Sequence, residues 1–370
     1  MIVAMGDTHL HPNAWASMPQ VKWDTYNSFE QIVDYAIEHK AEMIVLPGDV
    51  FDTHPPADTV AFFLRQVDKL KAVGIGLCTI QGQHGRTRSG TPWPQISPYV
   101  TNLEGERTYC TRLTKVGFAG LDNRPPEELR EELHSMVDEP DIKILFLHQM
   151  CRGLVPEIHT AWDLDPSWVP PTVELVIMGD YHQPIDCHYP REEHGGSTRF
   201  YYTGSAAMMS IDEPPEKSFL VIDEKTFKVT RVPLKTRPFK KFELRPAAPE
   251  VMTANLEAAL TAASTFEPET LCVVNFDPRQ PNIEEAFRAR APKVHFMFRP
   301  IAIESAGVEA RDIKVSNVSL IGCLDKVVDR EKEAGFHSFV LSLLQSKDPK
   351  GTLLEARKGV VDAGAKSSTP

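Results

Sequence analysis

Five apolar runs in this chain end in turns that carry metal-binding residue types. Asp7 and His9 follow MIVAMG, Asp49 follows IVLPG, Gln83 and His84 follow CTIQG, His148 follows ILFL, and Asp180 and His182 follow LVIMG. Carboxylate, imidazole and amide oxygen are donors accepted by divalent cations such as Mn²⁺, Fe²⁺ and Zn²⁺. The set is larger than one ion uses. Two ions roughly 3.5–4 Å apart, sharing a carboxylate, would use all of it, and such a pair activates a water and stabilises charge at a phosphoryl centre. Any one of these turns is ordinarily structural, because Asp and Gly suit turns for conformational reasons. Their recurrence after successive apolar runs points to a site.

The elements between the turns account for the placement. Ile2 to Met5 reads as a strand. Phe29, Ile32, Val33 and Ala36 share one face of a helix, for which Ser28 and Gln31 form a capping box. Met43 to Leu46 is an apolar strand ended by Pro47-Gly48. Asp58 caps a second helix with Phe62, Phe63, Val67 and Leu70 on its apolar side and Gly74 as its stop, before a strand at Leu77 to Ile80. Ile142 to Leu147 and Leu175 to Met178 are two further strands. This alternation predicts a layered α/β fold, in which ligands gather beyond the carboxyl ends of the strands.

Taken together, Gly6-Asp7-Thr8-His9-Leu10, Gly48-Asp49-Val50-Phe51-Asp52, Gly82-Gln83-His84, His148-Gln149 and Gly179-Asp180-Tyr181-His182 resemble the motif series of calcineurin-like metallophosphoesterases. Within that superfamily, GDVFDTHPP, the LHQ at Leu147 to Gln149, and YYTGSAAMMSIDEPPEKSFLVID look most like the SbcD family. That family is the Mre-type nuclease subunit of DNA double-strand-break repair complexes of cells and some phages. The resemblance covers residues 1 to about 235 well and the rest loosely.

It implies a β-sandwich flanked by helices over 1–235, a small α+β capping domain over 236–305 that leans over the site and helps select DNA, and a C-terminal helical, partner-binding tail over 306–370. It implies that Asp7, His9, Asp49 and His182 bind a first ion, with Asp49 bridging. Gln83, His148 and Asp180 would complete a second, and His84 would protonate or steady the leaving oxygen. Asp52 reads as shaping the Gly48 turn from outside the ligand set. Also implied are two Mn²⁺ or Mg²⁺ ions, DNA ends and single strands as substrate, an SbcC-type coiled-coil ATPase as partner, a homodimer, and a cytoplasmic location in a bacterium or a phage-infected host.

Three positions depart from the family pattern: Gln83 where Asn is usual, Asp180 where His is usual, and Gly85 where Asp is usual. Gln keeps the amide oxygen on an arm longer by one methylene, which moves the donor by more than the ~0.2 Å tolerance of a good site. Asp180 gives an anionic oxygen in place of a neutral nitrogen and hardens the second site, favouring Mn²⁺ or Mg²⁺. Gly85 removes an orienting partner of His84. The reading is a retuned nuclease. Its alternatives are a non-catalytic DNA-end-binding or scaffold subunit, and a phosphoesterase acting on small phosphodiesters or phosphoproteins.

Arg86 and Arg88, in a loop with Ser89, Gly90 and Trp93, would meet the phosphates of a strand while the indole stacks on a base, or else form a solvated loop. His11, His54 and His188 read as surface or supporting residues.

A length of 370 residues with 42% hydrophobic content allows one large domain and something smaller. The net charge of −11 opposes unaided binding of a polyanion, which depends on Lys and Arg neutralising phosphates. Bound cations would offset the acids that hold them. No apolar run is long enough to span a bilayer, and MIVAMGDTHLH has no basic leader, so a soluble intracellular protein is expected. Cys78, Cys110, Cys151, Cys187, Cys272 and Cys323 form no CxxC pair and read as reduced thiols.

The stretch LKTRPFKKFELRPAAPE reads as a basic linker. Beyond it come a helix from Leu256, a strand (Leu271 to Phe276), a helix (Ile283 to Arg290) and a strand (Val294 to Phe298), with Arg288, Arg290 and Lys293 adding basic charge. Phe336, Phe339, Val340, Leu343 and Leu344 recur at helical spacing and would dock on the ATPase partner, ahead of a small, polar tail that reads as disordered.

Overall fold

Alternate residues of the apolar runs face opposite sides of two sheets, as period-two strands must. The structure, a computed structural model, describes residues 1–15, 18–84, 93–104, 109–111, 115–136, 141–156, 162–191 and 196–301. In chain order the first half comprises β1 (Ile2–Ala4), α1 (Pro19–Lys22), α2 (Asp24–Glu38), β2 (Met43–Pro47), α3 (Ala57–Val73), β3 (Gly76–Ile80) and β4 (Val100–Asn102). Then follow β5 (Tyr109–Cys110), β6 (Gly117–Leu121), α4 (Pro126–Ser135), β7 (Ile142–His148), β8 (Leu175–Gly179), β9 (Ile185–Pro190), β10 (Ser197–Tyr202), β11 (Ser218–Asp223) and β12 (Lys228–Pro233). One six-stranded sheet has the order β12-β11-β1-β2-β3-β4 and the other β5-β6-β7-β8-β10-β9.

Ile2, Ala4, Val45 and Ile80 of the first sheet pack on Phe118, Ile144, Phe146 and Ile177 of the second, forming the centre of a sandwich. The opposite faces are covered by helices. Val3, Ile44 and Leu46 meet Phe29, Ile32, Val33, Phe63, Val67 and Leu70 of α2 and α3. Leu145, Leu147 and Val176 meet Leu129 and Leu133 of α4. The result is the layered α/β sandwich that the sequence predicts.

Parallel pairing of β1, β2 and β3, and of β7 and β8, brings their carboxyl ends to one edge. Ala4 lies opposite Val45, Pro47 opposite Ile80, and His148 opposite Gly179.

Two local expectations are corrected. Ser28 is buried inside α2, which starts at Asp24, so it caps nothing; Gln31 instead exchanges two hydrogen bonds with the Lys235 main chain, at 2.8 and 3.0 Å. The apolar face of α2 extends a turn further back because Tyr26 packs on Phe62. Asp58 lies in the first turn of α3 rather than at its cap, which is Pro56. Gly74 does end α3, in a left-handed conformation with φ of 74°.

A smaller layer follows: β13 (Phe239–Leu244), α5 (Pro249–Ala263), β14 (Leu271–Phe276), α6 (Ile283–Arg290) and β15 (His295–Pro300), with the strands parallel in the order β13-β14-β15. The middle of the expected linker is therefore β13, and the helix begins at Pro249, earlier than Leu256. The reason is tertiary: Phe242 and Leu244 complete a core around the buried Phe287, which a solvated linker would leave exposed. Arg237 ties the approach to this layer down, pairing with Asp24 at 2.7 and 2.8 Å and donating to the Gln20 carbonyl at 3.0 Å.

Residues Met1–Ile301 form one compact unit. The expected docking helix with Phe336, Phe339, Val340, Leu343 and Leu344, the polar tail, and Cys323 lie outside the described residues. No helix among the described residues is long and apolar enough to cross a membrane.

Candidate metal centre

The turns after β1, β2 and β8 are held in backbone conformations that L residues rarely adopt: φ is 49° at Asp7, 39° at His9, 44° at Asp49 and 85° at Asp180. Such strain persists only where the surroundings fix it, and it gathers at functional sites. Here cross-turn bonds fix it. His9 N donates to the Asp49 carbonyl at 2.9 Å, Leu10 N to Val50 at 2.8 Å, and Asp180 N to the Asp7 carboxylate at 3.0 Å. Two glycines let the turns close up. A methyl at Gly48, where φ is 88°, would lie 2.0 Å from the His148 ring, and one at Gly82 would lie 2.1 Å from the Asp49 carboxylate.

Three imidazoles converge at Nε2, and two of them are tied at Nδ1. His148 Nδ1 donates to the Pro47 carbonyl at 2.9 Å, His182 Nδ1 meets Glu213 at 2.8 Å, and His9 Nδ1 faces Asp52 at 3.3 Å. Fixing the proton on Nδ1 leaves the Nε2 lone pair to act as a donor. One oxygen of Asp7 lies 3.8, 4.0 and 3.9 Å from Nε2 of His9, His148 and His182. Asp49 lies 3.3 Å from His148 Nε2 and 3.8 Å from that of His9. The Nε2 atoms of His9 and His182 are 3.2 Å apart.

Asp7 and Asp49 are buried carboxylates, and Nε2 of the buried His148 has no hydrogen-bond partner. Buried polar atoms are ordinarily satisfied, so acceptors gathered around an unpartnered nitrogen fit a divalent cation. Among the described residues, two groups have the spacing to hold one: Asp7, His9 and His182, and Asp7, Asp49 and His148. Their common member is Asp7, where the resemblance assigns the bridge to Asp49.

The titration behaviour agrees. Burial works against charging His148, but Asp49, Asp7 and Asp180 push it up to about 10. Burial also opposes ionisation of Asp49, yet His148 and His9 hold it below the usual carboxylate range. Burial raises Asp7, and burial with the neighbouring Asp7 and Asp49 charges raises Asp180 to about 6.

Gln83 and His84 close the rim. Gln83 turns its amide nitrogen to Asp180 at 3.1 Å. His84 is 45% exposed, with its backbone N–H on Asp49 at 2.8 Å, Nδ1 on the Asp52 carbonyl at 2.8 Å and Nε2 3.9 Å from Asp49. The Asp52 carbonyl thereby orients the His84 ring. Asp52 also accepts from Asn13 N at 2.7 Å, behind His9.

All seven expected donors and His84 are therefore gathered at one edge. Gly85, Arg86, Arg88, Ser89 and Gly90 lie outside the described residues, and Trp93 opens a 3₁₀ turn, Trp93–Ile96. His11 meets Lys22 at 3.0 Å and Thr59 at 3.4 Å, away from the cluster, and His188 lies on β9 opposite Arg199.

Sequence reasoning missed Glu213, Lys217 and Asn123. Asn123 donates to the His148 carbonyl at 2.8 Å. Burial raises Glu213, but His182 and Lys217 outweigh it and hold the carboxyl at about 2. The signal for Glu213 and Lys217 was weak, an acid and a base four apart in a stretch that also holds Asp212 and Glu216.

Comparison with known proteins follows the same residues. The family model for calcineurin-like phosphoesterases matches residues 1–184. The DNA double-strand break repair protein Mre11 of Sulfurisphaera tokodaii is 27% identical over 189 residues, 49% of this chain and 48% of that protein. The protein of the same name from Haloferax volcanii is 26% identical over 263 residues, 67% of this chain and 55% of that protein. The chain spans about half the length of the curated relatives it matches. A crystal structure of a dimetal phosphatase from Danio rerio aligns with a TM-score of 0.34 and 12% identity, covering 59% of this chain and 90% of that one.

Proposed function

Because residues 1–184 form a calcineurin-like metallophosphoesterase domain, we propose that this protein is a metal-dependent DNA nuclease, hydrolysing phosphodiesters as the nuclease subunit of an SbcCD-like repair complex. The observation that carries the reading is the convergence of three imidazoles, two of them tied at Nδ1, on buried Asp7 and Asp49 beside the exposed His84.

Asp7, His9, Asp49 and His182 would hold one divalent ion, and His148, Asp180 and Gln83 would complete the site of a second, with Asp7 and Asp49 between them. The oxygen-rich second half favours Mn²⁺, with Mg²⁺ next. When bound, such ions supply Lewis acidity and an activated water. The chain's own contribution to proton transfer is His84. Its Nδ1 is tied to the Asp52 carbonyl, so in the charged ring Nε2–H is the proton presented to a leaving oxygen.

In this reading the β13–β15 layer is the capping domain and residues 306–370 dock an SbcC-type coiled-coil ATPase. DNA ends and single strands are the substrate, and a cytoplasmic homodimer is the working form. Similarity to repair proteins named Mre11 supports the choice of DNA over small phosphodiesters or phosphoproteins.

One observation favours a second reading, a DNA-end-binding or scaffold subunit: Gln83 and Asp180 stand where the family pattern has Asn and His. Cleavage of an end-labelled duplex, and of the same strand unpaired, with Mn²⁺, Mg²⁺ or chelator separates the two. Metal-dependent cutting that is lost in His84→Ala is the expected result. No product from the full chain, with an ATPase partner added, would refute the nuclease.

A further inference from the structure

Behind His182 the structure places a buried charged cluster that the metal ligands do not include. Glu213 spans it: one carboxylate oxygen meets His182 Nδ1 at 2.8 Å, and the other accepts from Lys217 Nζ at 2.7 Å, Ser205 Oγ at 2.9 Å and Met209 N at 3.1 Å. Lys217 Nζ also reaches Ser205 Oγ at 2.9 Å, and its side chain is 1% exposed. A buried ammonium and a buried carboxylate each lose their solvation, which only a matched set of partners repays.

The Glu213 loop is held from both ends. Ala206 N donates to the Asp7 carbonyl at 3.2 Å and Ser205 N to the His182 carbonyl at 3.1 Å. On the other side Trp15 donates to the Met208 carbonyl at 2.6 Å, while Met208 and Ile211 pack on Trp15 and on Leu271 of β14. The loop thus touches two members of the cluster through its backbone and the β13–β15 layer through its side chains.

We propose that Glu213 is a positioning residue for the ion held by Asp7, His9 and His182, fixing the Nδ1–H tautomer and ring angle of His182, and that Lys217 and Ser205 anchor Glu213 in the place this requires. The proposal deepens the metal-centre reading and rests on it. Glu213 touches neither substrate nor ion; it acts through His182. A carboxylate partner also raises the donor strength of a ligating imidazole, which an amide does less.

The test counts Mn²⁺ ions and their affinities by calorimetry and electron paramagnetic resonance, with unfolding of the chelated protein recorded alongside. Glu213→Gln strands the buried Lys217 ammonium, so Glu213→Gln/Lys217→Met, which keeps the cluster neutral, is measured beside it. The expected result is that the double variant folds and that one of its two Mn²⁺ ions binds about 10- to 100-fold more weakly while the other is unchanged. A folded double variant binding both ions as the wild type does would overturn the proposal. So would collapse of both variants in chelator, which would assign Glu213 to fold stability alone. Wild-type protein that takes up no Mn²⁺ would instead overturn the metal-centre reading itself.

Discussion

Gly48→Ala probes whether the second half of the centre is built as described, because the position combines two independent obstacles to a methyl group. The residue has φ of 88°, a region that an L residue enters at a cost of about 1–2 kcal/mol. The new Cβ would lie 2.0 Å from Nδ1 and 2.4 Å from Cγ of His148, so the ring must leave its place. Leaving breaks the 2.9 Å bond from Nδ1 to the Pro47 carbonyl, a net loss of about 0.5–1.5 kcal/mol. The sum is about 1.5–3.5 kcal/mol of stability in the chelated protein.

The displaced Nε2 no longer faces Asp49, and losing the orientation of a ligand costs about 10- to 100-fold in affinity. Gly74→Ala is the matched control. Its φ is 74° but nothing lies within 4 Å of the new methyl, so it carries the backbone strain alone and leaves Mn²⁺ binding untouched. Denaturant unfolding in chelator and Mn²⁺ calorimetry on both variants provide the readings. Equal stability of the two variants, with full Mn²⁺ affinity in Gly48→Ala, would refute the claim that His148 is pinned between Gly48 and Pro47.

Other outcomes follow from the same geometry. His84→Ala, at an exposed ring outside both ligand groups, keeps both Mn²⁺ ions and lowers the cleavage rate about 10²- to 10⁴-fold, as read in single-turnover assays; a loss of bound metal would contradict its place. Mn²⁺ affinity rises with pH, because His148, pushed up to about 10 in the cation-free protein, must surrender the Nε2 proton to bind an ion. The gain is about tenfold per pH unit for each proton displaced, measured by titration across a buffer series, and a flat profile would refute it. Asp180→Asn removes the anionic donor of the second half and is expected to weaken one Mn²⁺ ion while sparing the other, seen as a change in stoichiometry at limiting metal. Phe287→Ala empties a fully buried site among Phe242, Phe296 and Phe298 and costs about 3–5 kcal/mol in unfolding experiments; a loss under about 1 kcal/mol would mean that this layer is not packed as described.

The amino-acid sequence by itself determined the strands that carry the site and the donors at their ends. Both are local signals: an apolar run of strand length, then a Gly-Asp or histidine turn, so Asp7, Asp49, His148 and Asp180 were legible before any fold was known. Helix limits were less so. Ser28 and Gln31 satisfy the letters of a capping box, but the packing of Tyr26 on Phe62 carries the helix past them, and Gln31 serves Lys235 instead. Phe239 to Leu244 reads as linker because its basic residues hide a strand whose core, around Phe287, is supplied by later residues.

Only the tertiary structure decided how the donors are aimed. The tautomer of His148 depends on a carbonyl 101 residues away in the chain, and that of His182 on Glu213, 31 residues away. The central place of Asp7 depends on the register that sets both sheets' strand ends at one edge. Such contacts join segments with no common local pattern, so they exist only once the two sheets have packed.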